Sequence, residues 1–424
     1  MSCNRSLGTL GAVLLVMVVI LAVPTTWAQT KYKTLYKFTG GADGNVPYAG
    51  LIFDAAGNLY GAARSGGANN GGAVFELTPT QNGRWTESVL YSFCSLANCS
   101  DGDLPNAGLI FDQAGNLYGT TFNGGAVDSG TVFELTPKSD GSWTESVLHS
   151  FCALAGCGDG SNPSADLIFD GAGNLYGTAG AGGPKGVGVV FELTNGGSTF
   201  RVIHGFTGHQ DGGYPESHLI FDSAGNLYGT TFGGGKTRGG CGFSGGCGVV
   251  LKLKPNTDGS WTESVLYSFI FERGGYSEAG LIFDQVGNLY GTTFYGGPLD
   301  GGAVFELTPN SDGSWKQKVL HNFNRFQQGV EPNAGVIFDQ AGDLYGTVRF
   351  GGSNGCAYGS GCGVVFKLVQ NPKGGWSETV LHLFFDHPGA DPVAGVILDA
   401  AGNLYGTTVG DGTATFGSVF EITP

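Results

Sequence analysis

The chain is poor in charged residues and shows no segment with the periodicity of an α-helix. Charged residues make up 13% of its 424 residues, about half of the usual share of roughly 25%. Its net charge is −15, and an acidic protein repels phosphate backbones. These two features argue against general nucleic-acid binding, and the missing helical period favours an all-β fold.

Long hydrophobic runs are missing except at the N-terminus. Arg5 precedes an uncharged apolar stretch from Leu10 to Val23, and Thr26 and Ala28 supply small residues for a cleavage site. This pattern predicts a Sec-type signal peptide at residues 1–28 and a mature chain of residues 29–424. An uncleaved anchor is the alternative, although the stretch is short for a membrane span. We therefore expect a secreted protein, extracellular or periplasmic, that contacts no membrane after cleavage.

Glycine, by contrast, is in large excess. The chain holds 79 glycines, far above the ordinary share of about 7%. They follow no Gly-X-Y period, which excludes collagen. They cluster between aromatic-rich runs, as expected for the turns of an all-β protein.

The chain has nine cysteines, of which Cys3 lies in the predicted signal peptide. The other eight form four local pairs: Cys94/Cys99, Cys152/Cys157, Cys241/Cys247 and Cys356/Cys362. An even number of cysteines in an exported chain predicts disulfides. Zinc is the alternative, but no pair has a nearby His and the pairs lie in different repeats. We expect four disulfides, no metal and no cofactor.

One motif, Leu-Ile-Phe-Asp-x-x-Gly-Asn-Leu-Tyr-Gly-Thr, occurs seven times with small variations. Its aspartates are spaced 52 to 62 residues apart: Asp54, Asp112, Asp170, Asp222, Asp284, Asp339 and Asp399. A self-similar unit of this length indicates a repeat architecture. The repeat cores lie near residues 51–93, 109–151, 167–206, 219–269, 281–323, 336–384 and 396–424.

Each repeat contains four strand-like segments separated by turns. In the second repeat they cover residues 109–111, 117–121, 131–136 and 143–151. Four antiparallel strands repeated seven times predict a single seven-bladed β-propeller. The last repeat lacks its fourth strand, whereas residues 32–38 match that strand and stand before the first repeat. We expect the N-terminal strand to pair with the C-terminal blade and close the ring.

Three runs of the repeat carry a family resemblance: residues 112–120, 130–137 and 143–148. Through them the chain resembles secreted bacterial proteins of GloVer-type tandem repeats, sometimes described as choice-of-anchor proteins. The resemblance covers essentially residues 31–424. It implies export and a repeat architecture, but no catalytic residues. Relatives often carry a C-terminal anchor, whereas this chain ends inside its last blade, so free secretion is favoured.

The repeated polar residues are interpreted as structural. One aspartate per turn falls short of the six to eight oxygens that calcium takes, so a role in capping the hairpin is favoured. One position near the end of the fourth strand holds either His or Tyr: His149, His204, His321 and His382, or Tyr36, Tyr91 and Tyr267. An interchangeable position of this kind indicates packing.

The breaks in the repeat are better candidates for function. The loops after strands two and four should emerge on one face of a propeller, and all four cysteine pairs lie in these loops. Loops on a rigid scaffold often bind ligands, although the disulfides could simply protect long loops from proteolysis.

Two kinds of substitution stand out on this face. Asp166 and His218 replace a glycine before the first strand, and together they could orient a general base or bind a cation. Arg64 and Arg349 replace a phenylalanine after the second strand and could bind the carboxylate or sulfate of an acidic ligand. Repeat drift is the alternative explanation of both.

The preferred functional interpretation is an extracellular binding or scaffold module, expected to be a monomer. Its partner would be a carbohydrate, another extracellular polymer or a protein. The loop aromatics Tyr48, Tyr214 and Tyr276 could stack on sugar rings, and packing between the blades is the equal alternative. The first alternative is a glycan hydrolase or lyase acting at the channel mouth. Such an enzyme needs two carboxylates about 5–9 Å apart, and the sequence alone identifies no such pair. The second alternative is a purely structural surface or adhesion protein.

Overall fold

The fold is all-β, and its seven four-stranded antiparallel sheets form the blades of a propeller. A computed structural model describes residues 30–194, 196–236, 240–242, 245–324, 329–352, 361–385, 389–410 and 416–424. The predicted signal peptide, residues 1–28, and Cys356 lie outside these residues. Within them there is no α-helix, and no helix that could serve as a membrane span. The predicted fold class and blade number are confirmed.

The strands occupy four equivalent positions in each blade. The first strands are β2 (Ile52–Phe53), β6 (Ile110–Phe111), β10 (Ile168–Phe169), β14 (Ile220–Phe221), β18 (Ile282–Phe283), β22 (Ile337–Phe338) and β26 (Ile397–Leu398). The second strands are β3 (Leu59–Ala63), β7 (Leu117–Thr121), β11 (Leu175–Ala179), β15 (Leu227–Thr230), β19 (Leu289–Thr293), β23 (Leu344–Val348) and β27 (Leu404–Thr408).

The third strands are β4 (Ala73–Pro79), β8 (Thr131–Pro137), β12 (Val189–Thr194), β16 (Val249–Pro255), β20 (Ala303–Pro309), β24 (Val364–Gln370) and β28 (Ser418–Thr423). The outermost strands are β1 (Lys31–Lys37), β5 (Trp85–Ser92), β9 (Trp143–Ser150), β13 (Thr199–Gly205), β17 (Trp261–Ser268), β21 (Trp315–Asn322) and β25 (Trp376–Leu383). Short 3₁₀ turns occur at Ala97–Cys99, Ala155–Cys157 and Phe271–Arg273.

The ring closes through the N-terminal strand, as the sequence predicts. β1 pairs antiparallel with β28, from Lys31 opposite Thr423 to Lys37 opposite Ser418. Blade 7 is therefore built from both ends of the chain, in the order β1-β28-β27-β26. Pairing β28 in this way removes an edge that would otherwise be open to another chain.

The motif aspartate caps the hairpin between the first and second strands. In blade 2, one oxygen of Asp112 accepts hydrogen bonds from the backbone N–H groups of Ala114 and Asn116, both at 2.8 Å. Its other oxygen accepts from Asn116 Nδ2 at 2.8 Å and from the Tyr118 hydroxyl at 3.2 Å. The carboxylate is fully used by its own turn, which confirms the capping interpretation.

Replacing Asp112 by Ala should therefore lower the free energy of unfolding by about 2–3 kcal/mol, because four hydrogen bonds to a charged acceptor are lost. Denaturant unfolding of the mature chain would measure this change. The neighbouring Gln113, exposed in the same turn, provides the control, because Gln113→Ala should change the stability by less than about 0.5 kcal/mol. Equal effects of the two substitutions would contradict the capping role.

The motif glycine is required by core packing. A Cβ atom on Gly119 would lie 2.7 Å from Cζ of Phe133 on the adjacent third strand. Phe133 is fully buried, so its ring fills the space that a larger residue at position 119 would need. The same phenylalanine-over-glycine contact recurs at Gly61, Gly177, Gly291, Gly346 and Gly406.

The motif threonine connects neighbouring blades. The Thr407 hydroxyl in blade 7 donates to the Ala49 carbonyl of blade 1 at 3.1 Å. Four further threonines donate to the loop before the next blade's first strand: Thr178, Thr230, Thr292 and Thr347. These bonds hold the loops that precede the first strands in fixed positions around the channel.

Neighbouring blades also meet along their outermost strands, in what we call the seams. Here the His or Tyr near the end of one outermost strand faces a side chain near the start of the next. Four of these contacts are His149 on Phe200 (3.7 Å between ring centroids), His382 on Tyr32 (3.9 Å), the Tyr267 hydroxyl to Gln317 Oε1 (2.9 Å) and His321 Nε2 to Glu378 Oε2 (3.7 Å). The packing role of the interchangeable His/Tyr position is confirmed.

Three further seams hold a glutamate at the position of Gln317: Glu87, Glu145 and Glu263. In each, burial raises the pKa of the glutamate to about 7, and a nearby aspartate contributes to the rise. One oxygen of each glutamate is buried without a hydrogen-bond partner. Gln317 carries no charge at this position and is only 4% exposed.

Candidate functional site at the channel mouth

The loops after the second and fourth strands lie on one face, as the sequence predicts. Asp103, after an outermost strand, pairs with Asn123, after a second strand, in an antiparallel bridge. Three of the four predicted disulfides are present on this face: Cys94–Cys99, Cys152–Cys157 and Cys241–Cys247.

The fourth predicted disulfide, Cys356–Cys362, is not among these three, because Cys356 lies outside the described residues. Cys362 is described and is fully buried, immediately before β24. The pairing of Cys362 with Cys356 therefore stays a prediction from the sequence.

A cavity of about 620 Å³ opens at the centre of this face. Its wall includes first-strand residues such as Ile52, Ile282 and Ile397 and the loops that precede the first strands of all seven blades. The first strands are therefore innermost, and the cavity is the mouth of the central channel. We refer to it as the mouth.

One repeat position supplies a side chain to the mouth from every blade. These ring residues are Tyr48, Asn106, Ser164, Glu216, Glu278, Asn333 and Val393. The residue two positions earlier has a left-handed backbone in each blade, with φ between 56° and 61°: Val46, Leu104, Asn162, Tyr214, Tyr276, Glu331 and Asp391. This conformation is costly for residues other than glycine, and such strain concentrates at binding and active sites.

The ring residues are diverse, although the residues directly before and after them are proline and alanine in six of the seven blades. They include two carboxylates, two amides, a hydroxyl, a phenol and one apolar side chain. The Oδ1 atoms of Asn106 and Asn333 are buried and have no hydrogen-bond partner among the residues that the structure describes. Unpaired buried acceptors of this kind are rare in proteins and need an explanation such as a ligand or water.

Glu216 and Glu278 form a carboxylate pair that the sequence analysis did not identify. They occupy the ring position in neighbouring blades 4 and 5, and Asn333 Nδ2 donates to Glu278 Oε2 at 2.8 Å. Burial raises the pKa of Glu278 to about 8, with a further contribution from Glu216. The Glu216 side chain is accessible from the mouth, but the surrounding walls displace bulk water and raise its pKa.

Asp166 and His218 both line the mouth, but they lie against different neighbours. The Asp166 carboxylate accepts a hydrogen bond from the backbone N–H of Gly108 in blade 2. The His218 ring covers Gly280 in blade 5, where an added Cβ atom would overlap the imidazole. The contacts of the described residues include no bond between Asp166 and His218.

Arg64 and Arg349 lie on the same rim, and each is positioned by an aromatic ring. The Arg64 guanidinium is 5.6 Å from the Tyr48 ring centroid and contributes to the wall of the mouth. The Arg349 guanidinium is 4.6 Å from the ring centroid of Phe350, and its Nε is buried without a partner. Both positive charges oppose the rise that burial causes in the pKa of Tyr48, so the two arginines face the same region around Tyr48.

Two of the three loop aromatics reach the mouth. Tyr48 and Tyr214 are partly exposed and line it. Tyr276 is only 1% exposed and packs on Phe232, with ring centroids 5.1 Å apart. The expectation that Tyr276 could stack on a ligand is therefore wrong and its packing alternative holds, because the ring is buried against Phe232 and Tyr295.

A model of the Gloeobacter/Verrucomicrobia repeat matches the chain at residues 22–157 and 241–424, which is about three quarters of its length. The protein belongs to the Gloeobacter/Verrucomicrobia repeat family. This agrees with the resemblance found in the sequence. No curated protein matches this member of the family.

Solved structures share the fold of this Gloeobacter/Verrucomicrobia repeat protein at low identity. A fungal alcohol oxidase in complex with copper is 14% identical, with a TM-score of 0.53, over 93% of this chain and 76% of its own. A protein from Bacteroides fragilis, provisionally named a 6-phosphogluconolactonase, is 14% identical, with a TM-score of 0.50, over 88% of this chain and 98% of its own. At this identity the similarity concerns the fold alone.

The mouth combines hydrogen-bond acceptors with few positive charges. Its ionisable wall residues are Arg64, Asp166, Glu216, His218 and Glu278, in addition to the two tyrosines. The described residues contain no group of three or more His, Cys, Asp or Glu side chains arranged to hold a metal ion. The arrangement can accept hydrogen bonds from a polar ligand and provide aromatic surface beside them.

Proposed function

We propose that this protein is a secreted, monomeric module that binds a carbohydrate at the mouth. One observation carries the proposal: the repeat position that faces the cavity in every blade holds five different residue types, although the positions directly before and after it are almost always proline and alanine. A scaffold with only a structural role would have no reason to combine Tyr48, Asn106 and Glu278 at equivalent sites. Export is supported by the disulfides and by the predicted signal peptide.

The chemistry of the mouth suits a ligand with many hydroxyl groups. A hydroxyl group donates one hydrogen bond and accepts others. The unpaired Oδ1 atoms of Asn106 and Asn333 require donors, while Arg64 in the same wall offers donors. Tyr48 and Tyr214 provide rings for stacking against a sugar. In this proposal, Asp166, His218 and Arg349 shape the edge of the site.

Binding is tested with the mature chain, residues 29–424, on a glycan array followed by calorimetry with the glycans retained. Tyr48→Ala and Asn106→Ala should each weaken binding at least ten-fold, equivalent to about 1.4 kcal/mol. Gln81→Ala provides the control, because Gln81 is exposed in a turn on the opposite face, and its affinity should equal that of the wild type. The proposal fails if no glycan binds, or if the mouth variants bind as well as Gln81→Ala.

The Glu216–Glu278 pair supports a second candidate, a glycan hydrolase. A pKa of about 8 keeps Glu278 protonated at neutral pH, as a general acid requires, and an ionised neighbour could activate water. Release of reducing ends from polysaccharides, abolished in Glu278→Gln and Glu216→Gln, would favour this function. Binding without turnover would favour the binding module. The absence of both binding and turnover would favour a structural protein.

A further inference from the structure

Glu216, Glu278 and Asn333 form one continuous part of the mouth, which we call the acceptor sector. They hold the ring position in three successive blades and all line the cavity. Because the blades repeat, their side chains leave equivalent backbone positions and converge on the same region. A ligand group beside Glu278 would also meet Asn333, which bonds to Glu278, and would lie within reach of the Glu216 charge, which acts on Glu278.

When both carboxylates are ionised, the unused atoms of the acceptor sector are all hydrogen-bond acceptors. The amide donor of Asn333 is already bonded to Glu278 Oε2, and Asn333 Oδ1 is buried with no partner. No lysine, arginine or histidine among the described residues lies within 4.0 Å of the Glu216 or Glu278 carboxylate. The sector therefore needs several donors and a positive charge.

A primary ammonium group meets this need, because it carries three donors, one charge and no acceptor. A hydroxyl group would satisfy only one acceptor and would leave both carboxylates uncompensated. We propose that the acceptor sector binds the ammonium group of an amino sugar, so that the ligand is a glycan with free amines. This inference rests on the proposed carbohydrate binding and specifies the class of glycan.

Ammonium binding at this place should be linked to protons. Burial and Glu216 raise the pKa of Glu278 to about 8, Arg349 opposes the rise and Glu331 adds to it. The other ionisable groups that interact with Glu278 are Tyr48 and Tyr295. At pH 7 Glu278 holds a proton that an ammonium group would displace. Between pH 5 and 6, where the amines of glucosamine stay charged, binding should therefore release up to about one proton and tighten by up to ~10-fold per pH unit.

The experiment compares a fully deacetylated glucosamine tetramer with its N-acetylated counterpart by calorimetry, using the mature chain. Each titration is done at pH 5.0, 5.5 and 6.0 in two buffers with different ionisation enthalpies, which gives the number of protons released. We expect the glucosamine tetramer to bind at least ten-fold more tightly than the N-acetylated one and to release protons, whereas the N-acetylated tetramer should release none.

Three variants locate the effect. Glu216→Gln and Glu278→Gln should each reduce the preference for the glucosamine tetramer at least ten-fold, and Glu278→Gln should also abolish proton release. Arg349→Ala should increase the preference, because it removes a nearby positive charge. Glu134→Gln, a glutamate on β8 that lies outside the mouth, is the matched control. Thermal unfolding of each variant verifies that the ring remains folded.

The outcomes separate this inference from the proposed function. Equal binding of the two tetramers, or weaker binding after Arg349→Ala, would overturn ammonium recognition while carbohydrate binding stands. Ammonium recognition is also overturned if neither tetramer binds but other glycans do. If no glycan binds, the proposed function itself is overturned. The last titration uses spermidine, a polyamine without a sugar. If spermidine binds as tightly as the glucosamine tetramer and depends on Glu216 to the same extent, the amino sugar is overturned as the source of the ammonium group.

Discussion

Deletion of residues 32–38 should prevent the ring from closing and the protein from folding. The deletion removes β1, so β28 becomes an open edge, and it takes Leu35 and Phe38 out of the core that they share with Phe75 and Val419. Burial of one such side chain contributes about 1.5–3 kcal/mol. With the strand pairing also lost, the cost approaches the whole stability of a typical domain, about 5–15 kcal/mol.

Circular dichroism and size-exclusion chromatography of the deletion variant would test this. A chain that begins at residue 30 and keeps β1 is the control, and it should unfold at the same temperature as the mature chain. A synthetic peptide of residues 30–38, added in excess, should restore part of the lost structure by pairing with β28. A deletion variant that stays monomeric and unfolds cooperatively at the wild-type temperature would show that closure does not depend on β1.

The combined substitution of Glu87, Glu145 and Glu263 by Gln should stabilise the protein at pH 8 but not at pH 5. At pH 8 these seam glutamates are ionised in a partly buried place without a cation, which costs free energy. A pKa rise from 4.5 to about 7 corresponds to about 3 kcal/mol per group, and partial exposure reduces this to ~1 kcal/mol. The melting temperature of the triple variant should therefore rise by several degrees at pH 8.

The direction follows from proton linkage. The folded-state pKa of each seam glutamate lies above its unfolded value, so its stabilising contribution is complete below about pH 4.5 and is lost as the pH rises through 7. The seam histidines act in the opposite sense. Burial lowers the pKa of His321 and His382 to about 4, so their contribution is lost as the pH falls from 6.5 towards 4. The difference between variant and wild type isolates the glutamates, because both proteins share these histidines.

Gln317 shows that the fold accepts the substitution, since it fills the same seam position and accepts a hydrogen bond from Tyr267. The matched control removes three glutamates outside the seams, through Glu76→Gln, Glu134→Gln and Glu306→Gln. Differential scanning calorimetry from pH 5 to 8 should show a gain that grows with pH for the seam variant only. A gain of the same size at pH 5 and pH 8 would refute the role of seam ionisation.

The closure of the ring and the hairpin caps could be predicted because both depend on contacts within the repeat. Residues 32–38 match the strand that the last repeat lacks, and this pairing is a property of the pattern alone. Asp112 bonds to groups within six residues of itself, so local turn chemistry is enough to assign its role. The His/Tyr position was predictable for the same reason, because interchange of these residue types indicates packing.

The mouth was only partly predictable, because its geometry depends on backbone angles and on contacts between blades. Asp166 and His218 come from adjacent blades, yet their side chains contact Gly108 and Gly280 on opposite sides. Tyr276 shares its place in the repeat and its positive φ with Tyr214, yet its ring packs on Phe232 and is buried. Glu216 and Glu278 could have been found by comparing the ring position across the seven repeats. This position varies, whereas the positions directly before and after it are nearly constant.

The threonine bonds between blades have a consequence for how such a protein changes over generations. Thr407 fixes the carbonyl of Ala49, the residue directly after Tyr48, and four further threonines do the same in other blades. The backbone beside five of the seven ring side chains is therefore held by the neighbouring blade and not by the ring side chain itself. Substitution at these five points can redirect specificity at little cost in stability, and duplicated copies of the gene can diverge towards new ligands on an unaltered frame.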